Sequence, residues 1–379
     1  MVGLVAGAAV TTACQPPPVR SVGPGRTYAK PCQAIAAAQP GDVIQIDAAG
    51  NGTYDGDVCT WTTNNLTIEG VNGRARIDAA GRSSQNKATW VIAGNNTTVR
   101  NVELSGAVSS DKNGAGIRAE GANLTVVGSY FHHNQDGILA GANPASSIVI
   151  DGSEFADNGA NDGQSHNMYI GHIKSFTLIR SYSHESIGGQ LVKSRAITNY
   201  VLYNQLLGRT GTSNYELDLP NGGLSYVIGN SFQQGPATAN SNIIAYGMEG
   251  VTNPSSQLYV VNNTIVNDRG SGTAVLVGSQ VTAPVVAKNN ISVGSPMFVG
   301  QASAQLVGNC VVTNPGFVNR AAYDFHLVAG SPCVDTGTLP GTSAEGFALE
   351  PTQEYVNPLS LIARTVKGSA IDAGAFERP

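Results

Sequence analysis

Val149-Ile150-Asp151-Gly152-Ser153 is followed by Leu178-Ile179-Arg180-Ser181, then by Leu202-Tyr203-Asn204, Val227-Ile228-Gly229-Asn230 and Val260-Val261-Asn262-Asn263. Each is a short strand of alternating apolar residues that ends in a small polar one. The same ending occurs earlier, at Val99-Arg100-Asn101 and Val126-Val127-Gly128-Ser129. It occurs again later, at Ala287-Lys288-Asn289-Asn290 and Leu306-Val307-Gly308-Asn309. The interval is about 19–33 residues, one coil of a solenoid with length differences absorbed in loops. The terminal residue has a physical cause. An Asn or Ser pointing into a tight turn can bond its counterpart in the next coil, which satisfies polar groups that are costly to bury alone. Asn101, Asn204, Asn230, Asn263, Asn290 and Asn309 are the expected ladder.

A second strand precedes the first in each coil, at Gly116–Ala119, Gly137–Ala140, Asn167–Ile170, Gly189–Val192, Tyr215–Asp218 and Ile243–Tyr246. Alternation places Ile117, Ile138, Met168, Leu191 and Leu217 inward. Arg118, Leu139, Tyr169, Gln190 and Glu216 then point outward and stack along the solenoid. Few Asn-Gly hairpin signals separate these strands, which disfavours a propeller or sandwich. The fold class is therefore all-β, a right-handed parallel β-helix with a short N-terminal capping helix.

Composition agrees. Only 12% of the 379 residues are charged and 46 are Gly, but 41% are hydrophobic and the net charge is −5, so the chain can bury a core and does not read as disordered. Residues 1–18 read as a processing segment. An apolar run from Val2 to Val10 leads to Thr11-Thr12-Ala13-Cys14, which resembles the tail of a bacterial lipoprotein signal with Cys14 as the lipidated residue. Setting Cys14 aside leaves Cys32 and Cys59 near the start and Cys310 and Cys333 near the end. Pairing within each couple would staple both ends, as in an oxidising compartment. The expected location is secreted, periplasmic or cell-surface, with a membrane contact only through Cys14.

A solenoid needs capped ends. Residues 31–39 read as a short helix stopped by Pro40-Gly41, with Asp42–Ile46 as the first strand. This helix–Pro-Gly-Asp–strand entry resembles the N-terminal cap of secreted β-helix proteins of the pectate-lyase-like superfold. Gly368–Glu377 resembles the closing segment of the same group. The resemblance spans nearly the whole chain and implies one β-helix domain over 19–379, with caps at about 28–60 and 315–379. It implies the fold and not one activity, because the architecture hosts lyases, hydrolases, epimerases and adhesins.

Most coils carry only turn and packing residues. Between Gln164 and Tyr215, however, stand Lys174, Arg180, Lys193, Arg195, Arg209, His166, His172 and His184, with Glu185 as the only acid. Glu216, Asp218 and Glu249 follow. A basic groove in an acidic protein concentrates an anionic substrate. The repeat aligns Tyr169 with Gln190 and Glu216, and Gly171 with Val192 and Asp218, on coils about 4.8 Å apart. That set fits β-elimination or epimerisation at a uronic acid. Both reactions need a cation on the carboxylate and a base for the neighbouring proton, and elimination also needs an acid for the leaving oxygen. Lys193 or His166 is the candidate base, Tyr169 or Tyr215 the proton donor, and Arg195 the carboxylate clamp. His184, Gln190, Glu216, Asp218, Asn221 and Glu249 are candidate substrate contacts, and Glu216 with Asp218 the candidate Ca²⁺ ligands.

Lys193-Ser194, followed by Asn199-Tyr200-Val201-Leu202-Tyr203-Asn204, resembles the Lys-Ser coil of polysaccharide lyase family six, which includes alginate lyases and chondroitinase B. In that family the Lys is the base, an Arg on the following coil assists, and carboxylates on the preceding coil hold Ca²⁺. The resemblance implies Lys193 as base. The preceding strand here carries His166 and Tyr169 in place of paired carboxylates, and the following one Glu216 and Asp218 in place of Arg. Three functions stay open: a lyase on an acidic polysaccharide, a glycoside hydrolase using Glu216, Asp218 and Glu249, and a glycan-binding surface protein. A monomer is expected. Nucleotide and redox roles lack a phosphate loop or a Cys/His cluster, and nothing points to nucleic acid.

Overall fold

A computed structural model describes residues 16–50 and 52–378; Cys14, the expected lipidation site, lies outside them. The chain winds into a right-handed parallel β-helix of about ten coils. Each regular coil contributes three strands, not the two legible in the sequence. Sheet 1 has 12 strands, from Val19–Val22 to Gln305–Val307. Sheet 2 has 11, from Thr53–Asp55 to Cys310–Val311, and sheet 3 has 10, from Cys59–Trp61 to Met297–Val299. Sheet 2 is not legible in the sequence because its strands follow directly on the polar turn residue, as Tyr130–His132 follows Ser129, Glu154–Ala156 follows Ser153 and Tyr182–His184 follows Ser181, so strand and turn merge.

Alternation builds the core. In sheet 1, Ile44, Ile68, Val99, Val126, Ile150, Leu178, Val201, Val227, Val260 and Ala287 fall in one register column, and every one is fully buried. Each branched side chain removed from water contributes about 1.5–3 kcal/mol, so the column is a large part of the driving force. Phe131 and Phe155 stack inside sheet 2 with ring centroids 4.8 Å apart.

The polar ladder runs through Ser129, Ser153, Ser181, Asn204, Asn230, Asn263, Asn290 and Asn309, each accepting a backbone N–H from the coil before. Asn101 is not a member. It sits one residue earlier in register, in the left-handed turn position (φ 51°), and donates to the carbonyls of Gly70 and Gly73. A second ladder, Asn134–Asn158–Asn167, holds the corner between sheets 2 and 3 and ends on Ser183 Oγ and the His184 carbonyl.

At the N-terminus the helix spans Pro31–Ala36, shorter than expected, and the strand Val19–Val22 precedes it and pairs with Val43–Asp47. Disulfides join Cys32 to Cys59 and Cys310 to Cys333. The C-terminal segment does not simply close the last coil. It turns back along the flank: Phe347 and Leu349 cover the sheet 1 tyrosines Tyr226 and Tyr259, and Phe325, Tyr355 and Phe376 cover Leu207 and Val266 of sheet 2. These packing clusters lie on sheets 1 and 2, and the outward face of sheet 3 is bordered by inter-strand loops. No helix among the described residues is long and apolar enough to cross a membrane.

Candidate active site

The observed register of sheet 3 corrects the expected one. Tyr169 aligns with Lys193, and Lys193 with Asp218, whereas Gln190 and Glu216 precede the paired residues. Within Lys193-Ser194-Arg195 the alternation is clean. Ser194 points inward and donates to Asn199 Oδ1 at 2.6 Å, whose amide in turn holds the Ala196 carbonyl, so the flanking cations face outward on a fixed turn. The loop carrying Asn221 is pinned by Tyr246, whose hydroxyl donates to the Gly223 carbonyl, and by Asn253 on the Gly222 carbonyl. The backbone N–H of Glu249 donates to the Pro220 carbonyl, which ties the two loops together.

One exposed carboxylate joins the cations. Lys193 Nζ lies 2.8 Å from Glu249 Oε1 and 3.3 Å from Asp218 Oδ2, and Arg195 Nη2 lies 2.6 Å from Glu249 Oε2. Arg195 also donates through Nε to the Tyr169 hydroxyl at 2.8 Å and through Nη1 to Asn221 Oδ1. Gln190 Nε2 donates to Asp218 Oδ2 at 3.2 Å. The structure thus gathers Tyr169, Gln190, Lys193, Arg195, Asp218, Asn221 and Glu249. Tyr215 sits within electrostatic reach of Asp218, Lys193 and Glu249, its phenol raised by burial.

The two site carboxylates are driven apart. Burial pushes Asp218 up to about 6 against the pull of Lys193. Burial also acts to raise Glu249, but hydrogen bonds from Lys193 and Arg195 overcome it and hold its carboxyl below the usual range. Burial and the neighbouring Lys193 charge depress His166 to about 3, so its ring is neutral. Its Nδ1 accepts the Gln190 backbone N–H at 3.1 Å, which leaves the proton on Nε2. A neutral ring whose acceptor nitrogen is already used is a donor and a stacking partner, not a base. It stacks on Tyr169 with centroids 5.6 Å apart.

Two expected residues lie elsewhere. Glu216 is fully buried, accepts from Ser213 Oγ at 3.3 Å and leaves Oε2 without a partner. The N–H groups of Glu216 and Leu217 both converge on the Ile243 carbonyl, so regular alternation begins only at Leu217 and Glu216 turns away from the face of Asp218. His184 belongs to sheet 2, between Glu185 at 2.9 Å and Glu154 at 3.3 Å, stacked on Tyr182. Calcium does not fit these residues. It needs six to eight oxygen ligands, but Glu216 and Asp218 do not converge, Asp218 and Glu249 both hold Lys193, and no cluster of three or more His, Cys, Asp or Glu suited to a metal occurs among the described residues.

Asp136 stands one residue before the strand expected at Gly137–Ala140, and nothing in the sequence alone marks it as part of the site. It opens a sheet 3 strand, and its buried carboxylate accepts the His166 N–H at 2.7 Å. Gly189 is required by close approach: a Cβ there would stand 1.7 Å from the Ser165 carbonyl and 2.7 Å from His166 Nδ1. The site itself is an open face. Cavities of about 330 and 220 Å³ lie instead beside the C-terminal segment, around His326 and Tyr355.

No protein-family model matches the chain, and no curated protein does. Solved structures do. Pectate lyase Pel9A aligns over 92% of this chain and 90% of its own, at 16% identity and a TM-score of 0.45. An alginate lyase from Paenibacillus sp. str. FPU-7 aligns over 77% of this chain and 98% of its own, at 12% identity and a TM-score of 0.45. Pectin methylesterase PemA from Erwinia chrysanthemi aligns over 79% and 91%, at 11% identity and a TM-score of 0.40. The chain resembles these enzymes in fold. At these identities and TM-scores the likeness says nothing of activity, and the fold rests on the strand register described above.

Proposed function

We propose that the protein cleaves a uronate-containing polysaccharide by β-elimination, outside the cytoplasm. The observation that carries this is the pair Lys193 and Arg195, two residues apart on one open sheet face and already holding a carboxylate between them. Elimination next to a carboxylate requires that its charge be neutralised as the α-proton leaves. Arg195, steadied by Asn221, binds the substrate carboxylate. Lys193, an ammonium in the ion pairs of the resting site, first gives a proton to solvent and then takes the proton from the adjacent carbon, and Asp218 stabilises the ammonium that forms again. Tyr169 gives its proton to the departing glycosidic oxygen, and Arg195 Nε stabilises the phenolate left behind. The new double bond forms as the carbon–oxygen bond breaks. The His166 Nε2–H offers a fixed hydrogen bond beside Tyr169. Two disulfides suit an oxidising location.

One observation favours a second reading. Asp218 and Glu249 touch the same ammonium while their affinities for a proton are shifted in opposite directions, the pattern of an acid and base pair in a glycoside hydrolase. Incubation with alginate, pectate, glucuronan and glycosaminoglycans separates the two. The lyase produces the ultraviolet absorbance of an unsaturated uronide. New reducing ends without that absorbance would establish hydrolysis, and binding without cleavage a glycan-binding protein.

A further inference from the structure

Glu249 bridges the two cations in the way a ligand would. Each carboxylate oxygen serves one of them, Oε1 on Lys193 Nζ at 2.8 Å and Oε2 on Arg195 Nη2 at 2.6 Å. Its side chain is 46% exposed, whereas those of Lys193 and Arg195 are 11% and 23% exposed, so the carboxylate covers the cations from the solvent side. The cations have other partners that stay in place: Asp218 on Lys193, and Tyr169 and Asn221 on Arg195. The Glu249 backbone is tied to Pro220. Rotation of the side chain into solvent therefore uncovers the anion position without moving a strand.

We infer that Glu249 is an internal stand-in for the substrate carboxylate, occupying the clamp when it is empty and displaced by the uronate that binds there. This rests on the reading of Lys193 and Arg195 as a carboxylate site, and it makes Glu249 a selectivity residue. An incoming sugar must carry a negative charge to exchange with it. A neutral sugar would leave the largely buried Arg195 without a counter-charge and Lys193 with Asp218 alone, which is costly. Two oxygens, each aimed at one cation, match a planar carboxylate.

The test is equilibrium binding of galacturonate, glucuronate and mannuronate at low salt, with galactose and glucose as neutral controls, to the wild type, Glu249→Ala, Glu249→Gln and the double variant Lys193→Ala/Glu249→Ala. Both single variants are expected to bind at least one uronate roughly tenfold more tightly than the wild type, about the worth of one freed charge-assisted contact. Neutral sugars should show no gain, and the double variant should lose it. Uronate binding that is unchanged or weaker in the single variants, absent from all proteins, or kept in the double variant overturns the inference. The readout is binding, not turnover. A chain that gains uronate affinity but forms no unsaturated product keeps this inference and loses the lyase reading; one that forms product without the gain does the reverse.

Discussion

Single side chains show where alternation is a safe guide and where it is not. Lys193 and Arg195 were legible because charge is scarce in this chain and Ser194 between them turns inward. Glu216 was misplaced because the period of two breaks where its N–H and that of Leu217 share one carbonyl. His184 was misplaced because a corner after sheet 2 separates it from the coil face, and corners carry no pattern of their own. Glu216 yields a prediction about pH. Burial raises its carboxyl well above the ordinary value, so the folded state retains a proton that the unfolded chain has released. Its stabilising share is full below the unfolded value of about 4.5 and is lost as pH rises through the folded one. Asp136, raised by burial in the same way, adds to the trend. Thermal unfolding of the wild type and Glu216→Gln at about pH 5 and about pH 8 should show the wild type losing more stability on going to the higher pH. Equal losses would mean that Glu216 is ionised in the folded protein.

At the scale of strands and turns, the Asn and Ser endings were read nearly in full, because a side chain that must bond its copy in the next coil repeats in type as well as in place. Asn101 was the exception: two adjacent turn positions both favour Asn, one for its left-handed backbone and one for its side chain. Sheet 2 was invisible, since its strands begin directly after the ladder residue and merge with the turn in the sequence. The ladder should be energetically steep. Asn230 accepts from Asn204 and donates to Asn263 Oδ1 and the Val201 carbonyl, all buried. Asn230→Ala strands several of these groups, at about 1–3 kcal/mol for each left unpaired. Urea unfolding should place the variant about 3 kcal/mol or more below the wild type. A loss under about 1 kcal/mol would show that water or backbone rearrangement replaces the ladder there.

The whole molecule is arranged around one exposed face. The C-terminal segment folds back over the aromatic flank of sheet 1 and the apolar patch on sheet 2, which leaves sheet 3 to carry the polar face. That return path was not legible, because it depends on contacts such as Asn262 with the Asp372 carbonyl, 110 residues apart in the chain. The corner between sheets 2 and 3 sets His184 apart from Lys193, although the two are near neighbours in sequence. This separation allows a direct test of the claim that the chemistry resides on sheet 3. Lys193→Ala and His184→Ala are compared with the wild type for release of unsaturated uronide from whichever acidic polysaccharide the wild type cleaves fastest. Lys193→Ala should lose at least about a thousandfold in rate, as expected for a general base, with His184→Ala within a few-fold of the wild type. A Lys193→Ala variant that keeps its rate, a His184→Ala variant that alone loses it, or a wild type that releases no unsaturated product from any of these polymers would contradict the claim.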